Sequence, residues 1–129
     1  MAPTDKPRAT AIEQVQVFGR RDSRDTQKAL RFFRERRISV VFVDLTTKAM
    51  APAELRRFSD RFKPRALLDE QSRAYVDAGL AYLRLDDREL FERLLSNQRL
   101  LRLPLVRAGR ELTVGPDEAA WKRLLAAGD

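Results

Sequence analysis

Val15-Gln16-Val17-Phe18-Gly19, then Ser23-Arg24-Asp25-Thr26-Gln27-Lys28-Ala29-Leu30-Arg31-Phe32-Phe33, then Ser39-Val40-Val41-Phe42-Val43-Asp44-Leu45 decide the fold of this chain. The first run is short, β-rich and alternating, and reads as a strand. From Arg24 to Arg37 the pattern becomes helical, with Thr26, Ala29, Leu30 and Phe33 recurring at three- and four-residue steps on one face. Ser23 stands where a helix N-cap belongs. Ser39 to Leu45 is almost continuously apolar, which predicts a strand buried on both faces. Strand, helix and second strand make a βαβ unit, whose crossover is expected to be right-handed.

Working outward, Pro52 opens a helix through about Phe62, because proline is at home in a first helical turn. Ala66 to Leu80 reads as one or two short helices. Asp86 with Glu89 forms a capping-box signal for a helix whose apolar face is Leu90, Phe91, Leu94 and Leu95. Leu103 to Val106 begins a third strand, Ala108-Gly109-Arg110 is a turn, and Glu111 to Val114 returns as the last strand. Asp117 to Ala126 closes as an amphipathic helix with Trp121, Leu124 and Leu125 inside. Phe32 and Phe33 are expected in the core, and Tyr75 and Tyr82 as caps on a helical lobe. The order is β-α-β, a helical insert over about residues 52–98, then β-β-α. Residues 1–11 are polar with two prolines and read as a flexible tail, leaving 12–129 as one domain.

Composition narrows the chemistry. The 129 residues are 43% hydrophobic, enough for a core, and contain neither cysteine nor histidine. Thiol redox chemistry, disulfides, thiolate metal sites and imidazole acid–base catalysis therefore have no agent in the chain, which leaves carboxylates, hydroxyls, Lys, Tyr and Arg. No apolar run approaches the roughly 18 residues of a membrane helix, and the first residues lack the apolar stretch of a secretory signal, so a cytoplasmic location is expected. No paired-carboxylate, glycine-rich phosphate or metal-ligand pattern stands out. The net charge is +7 and most of the 26 basic residues are arginine. They are spread along the sequence, which favours a solvated surface over a nucleic-acid patch.

The pieces in this order resemble the ArsC/Spx family of arsenate-reductase-like proteins. Val17-Phe18-Gly19 through Ser23-Arg24-Asp25-Thr26-Gln27-Lys28-Ala29-Leu30 resembles the family's strand, active-site loop and C-x-x-x-x-K-A-L helix start. Ala66-Leu67-Leu68 with Tyr75 to Leu80 is similar to its L-L/I-D … Y-x-x-x-G-L segment. Leu100-Leu101-Arg102-Leu103-Pro104-Leu105-Val106-Arg107-Ala108-Gly109 is similar to its L-L-R-x-P-[LIV]-V-x-x-G signature, and Thr113-Val114-Gly115 with Trp121 to its V-G … W ending. The resemblance implies an α/β thioredoxin-like βαβ–ββα sheet with a helical insertion lobe after the second strand. It also implies a cis bond before Pro104 and a site facing the start of the first helix.

The departures bear on function. The family's nucleophilic cysteine falls on Ser23, and the second cysteine of Spx-type members on Thr26. An arginine of the reductases falls on Gln27. The places of their oxyanion-gripping arginines fall on Asp69, Leu103 and Val114. A serine hydroxyl needs an adjacent base to become a nucleophile and cannot form a mixed disulfide. Ser23 is thus expected to be a plain N-cap, with anion or ligand binding by Ser23, Arg24, Thr26, Arg102 and Pro104 as the functional possibility. Arg102 could project toward Ser23 or reach solvent. Arg20, Arg21, Arg24 and Arg102 are expected to converge on one recess, positive or internally neutralised by Asp22 and Asp25.

The expected function is a non-catalytic binding or regulatory protein without a cofactor, acting on a protein partner. The Spx resemblance implies that this partner could be RNA polymerase. Two alternatives stand beside it. One is an arsenate-reductase-like or glutathione-linked oxidoreductase that borrows an external thiol. The other is an Arg-rich nucleic-acid binder.

Overall fold

The computed structural model describes residues 12–126, so the tail expected at 1–11 lies outside the described residues. Four strands form one sheet in the order β2-β1-β3-β4. β1 (Gln14–Gly19) runs parallel to β2 (Ser39–Asp44) on one side and antiparallel to β3 (Leu105–Ala108) on the other, and β3 pairs antiparallel with β4 (Glu111–Val114). α1 (Arg24–Glu35) connects β1 to β2. α2 (Pro52–Phe62), α3 (Arg73–Asp77) and α4 (Asp87–Ser96), with three short 3-10 turns, fill the stretch between β2 and β3, and α5 (Glu118–Ala126) follows β4. The architecture is the thioredoxin-like sheet with a helical insertion.

Side-chain alternation along the central strands divides the interior in two. Val15 and Val17 of β1, with Val106 and Ala108 of β3, face α1 and α5 and pack with Phe32, Phe33, Trp121 and Leu124. Phe18 and Leu105, one residue out of phase, face the insert and pack with Leu55, Phe58, Leu67, Leu90 and Leu94. Phe32, Phe33 and Trp121 meet with ring centroids 5.1–5.9 Å apart, and Phe18 meets Phe58 edge-on at 6.0 Å.

The insert is closed on itself and tied to the segment leading into β3 and to β3 by bonds at a few points. Leu67 O accepts from Arg102 N–H at 2.7 Å and Leu100 O from Asp69 N–H at 2.8 Å. The Gln98 amide clasps Met50 from both sides, its Oε1 accepting from Met50 N–H at 2.8 Å and its Nε2 donating to Met50 O at 3.0 Å. Arg107 of β3 reaches Glu54 of α2 at 3.3 Å. α4 starts with the expected capping box: Asp86 Oδ1 accepts from Glu89 N–H at 2.8 Å, and Glu89 Oε1 accepts from Asp86 N–H at 3.0 Å.

Two sequence expectations are corrected. β2 is not buried on both faces: it lies at the sheet edge, hydrogen-bonds only to β1, and leaves Val41 40% exposed because the insert covers Val43 but not the start of the strand. Tyr82 does not cap the lobe, being 90% exposed, whereas Tyr75 does pack against the lobe's apolar cluster.

Gly19, the last residue of β1, is where α1 presses closest. A Cβ there would collide with Oγ1 and Cγ2 of Thr26. Gly19→Ala is therefore expected to lower stability by about 1–3 kcal/mol through overpacking, and Thr26→Ala in the same chain to recover part of the loss. Urea titration of the single and double variants measures both.

Candidate functional site

The loop between β1 and α1 is shaped by its own backbone. Ser23 N–H donates to Arg20 O at 3.1 Å, closing a turn, and Ser23 O accepts from Gln27 N–H at 3.0 Å, starting the helix. Ser23 is extended (φ −90°, ψ 119°), and its Oγ accepts from Thr26 N–H at 3.1 Å. This is the N-cap arrangement, and it directs the hydroxyl oxygen at the helix. Thr26 is a correction to the expected ligand set. Its side chain is 0% exposed, wedged against Gly19, and its hydroxyl accepts from Arg20 N–H at 3.4 Å, so it belongs to the core.

The expected arginine recess does not form. Arg20 pairs with Asp22 at 3.0 Å and lines a cleft beside Ser72, Asp77 and Arg99. Arg21 pairs with Asp44 at 3.5 Å and lies over the Phe42 ring at 5.2 Å. Arg24 stands exposed on α1. Arg102 is exposed too, and its guanidinium lies against Gly115, where a Cβ would meet Nε at 2.9 Å. The glycine's positive φ of 75° and its lack of a side chain give the arginine that seat. Pro104 is buried, its preceding peptide bond is cis, and its carbonyl accepts from Gly115 N–H at 2.8 Å.

What does face the start of α1 is a cleft of about 720 Å³ between α1, the insert and the strand-leading segment, lined among others by Asp25, Arg65, Asp69, Glu70 and Arg102. Three carboxylates stand there against two guanidiniums, and Arg65 is engaged by Glu70 at 3.8 Å. The cleft is of mixed charge with a carboxylate excess, so of the two alternatives the arginines left open it is not the positive one, and Arg20 is paired with Asp22. Asp25 was legible in the sequence as an acid in the first turn of α1. The place of Asp69 was indicated by the family resemblance, whereas the contribution of Arg65 and Glu70 was not, because it depends on how the insert folds back. Among the described residues no three His, Cys, Asp or Glu side chains gather for a metal ion, and no helix is long and apolar enough to cross a membrane.

Asp44, at the end of β2, holds its carboxyl below the ordinary carboxylate range. The Thr46 hydroxyl donates to it at 2.7 Å and Thr46 N–H at 3.0 Å, with Arg21 adding attraction.

A family model described as the ArsC family matches residues 18–124. Three solved structures show how closely the backbone is shared. A protein titled YFFB superposes with a TM-score of 0.79 at 18% identity, covering 86% of this chain and 98% of its own. An ArsC-family-related protein from Bacteroides fragilis gives 0.78 at 18% identity, covering 89% and 99%. An arsenate reductase from Vibrio cholerae gives 0.74 at 18% identity, covering 88% and 98%. At these identities the likeness is one of fold. No curated protein sequence matches the chain.

Two measurements check this geometry. Ser23→Ala is expected to cost about 0.5–2 kcal/mol of stability in chemical denaturation, and Ser23→Asp to cost little, since aspartate also caps. The stability contributed by Asp44 should be complete above the ordinary carboxylate range and lost as pH falls through its lowered pKa. Asp44→Asn should therefore flatten the acid side of a stability-against-pH curve.

Proposed function

The chain belongs to the ArsC family, and we propose that within it this protein is a non-reducing binding protein that acts in the cytoplasm through a protein partner. The observation that carries the reading is Ser23: at the position of the family's cysteine stands a hydroxyl whose oxygen caps α1 through Thr26 N–H. The chain offers no thiol to form a mixed disulfide and no histidine to activate the serine.

The cleft supports the same reading. A reductase that borrowed its thiol from glutathione would still have to hold an oxyanion near the start of α1. Asp25, Asp69 and Glu70 oppose that, and of the two guanidiniums Arg65 is already shared with Glu70. The mixed charge suits a polypeptide carrying both signs better than a compact anion. Arg102 and Leu103 line one wall of the cleft, and Asp25 of α1 faces them. RNA polymerase, suggested by the Spx resemblance, is the first partner to test with purified components.

Purified protein supplied with arsenate, glutathione and glutaredoxin is expected to give no reduction above the protein-free control. Turnover that disappears in Ser23→Ala or Arg102→Ala would overturn the proposal. Ser23→Cys is expected to acquire one reactive thiol and still leave arsenate unreduced, because the surrounding carboxylates remain. Reduction by that variant would show that sulfur alone was missing.

A further inference from the structure

The helices differ in how they treat their surface cations. α2 pairs Arg57 with Glu54 at 3.9 Å, α3 pairs Arg73 with Asp77 at 3.6 Å, α4 pairs Arg88 with Glu92 at 3.9 Å, and α5 pairs Lys122 with Glu118 at 3.5 Å. α1 does not. Arg24, Lys28, Arg31 and Arg34 are all exposed on it, and none forms an ion pair with a carboxylate among the described residues. Like charges at these three- and four-residue spacings destabilise a helix. The carboxylates at its two ends, Asp25 and Glu35, leave the row unneutralised. Although basic residues occur along the whole sequence, the net charge is concentrated: residues 20–37 hold eight Lys or Arg against three Asp or Glu, five of the net +7. Arg20, Arg21 and Arg36 in that stretch are engaged, by Asp22, by Asp44 and by the Phe32 ring and carbonyl respectively.

We infer that the solvent face of α1 is a docking surface for an acidic helical segment of another protein. The four cations extend over about 15 Å of helix and recur about every 4.5–6 Å along the axis. Carboxylates placed one turn apart on an acidic helix recur at the same interval. The row is narrow and has Asp25 at one end and Glu35 at the other, which suits a partner one helix wide better than a duplex. A single nucleic-acid strand would need aromatic faces for its bases, and the exposed aromatic among the described residues is Tyr82, on the insert.

The inference rests on the reading of the chain as a binding protein, but its test is separate. A helical peptide with glutamate at i, i+3 and i+4 positions of one face, its lysine-substituted counterpart, and a mixed-sequence DNA duplex are titrated by fluorescence anisotropy. The glutamate peptide is expected to bind the protein, more tightly at low salt. Lys28→Glu with Arg31→Glu should weaken it about tenfold or more and transfer preference to the lysine peptide. Should that variant not fold, Lys28→Gln with Arg31→Gln replaces it and need only weaken the glutamate peptide. Failure of the glutamate peptide to bind, equal binding to wild type and variant, or binding of the duplex alone overturns the inference. Arsenate turnover would end the non-reducing reading without altering these affinities, and loss of peptide binding would remove the α1 surface without restoring a reductase.

Discussion

β1 is the wall on which both halves of the interior are built. Its side chains alternate, so Val15 and Val17 bury against α1 and α5 while Phe18 buries against the insert. Because the strand hydrogen-bonds to neighbours on both edges, it cannot shift register without turning each apolar residue to the wrong face. Its last residue, Gly19, admits Thr26 at a distance no other residue type allows. That approach places the first turn of α1 against the end of the strand, and so determines where Ser23 stands.

The same constraint places a polar cap, here Ser23, at the start of α1. A cysteine at this helix start would profit from the N–H groups and the dipole. Serine makes use of the same groups differently: it satisfies Thr26 N–H and secures the helix. The capped helix, the strand and the buried Pro104 remain in register whichever atom sits at the cap. Fold likeness to reductases therefore does not by itself transfer their activity.

Charge around this frame is distributed unevenly. Arg20 and Arg21, which sequence proximity brings to the helix start, are drawn away by Asp22, Asp44 and Phe42. The insert contributes Asp69 and Glu70 to the cleft. Positive charge is instead displayed along the outer face of α1, on the side away from the sheet. The chain thus presents two polar surfaces, the mixed-charge cleft and the cationic outer face of α1.

The sequence alone determined the absence of cysteine and histidine, the βαβ unit with its N-cap at Ser23, the capping box of α4, and the order of elements. Each depends on residue identity or on spacing within a few positions, where helix and strand periodicity operate. The lying of β2 at the edge, the exposure of Tyr82, the scattering of the arginines and the acid excess of the cleft came only from the tertiary structure. They depend on which distant segments meet. Arg102 takes its place from Gly115 and Leu67, and Asp69 from Leu100, partners up to 35 residues away along the chain, and local pattern carries no record of a contact made across such a separation.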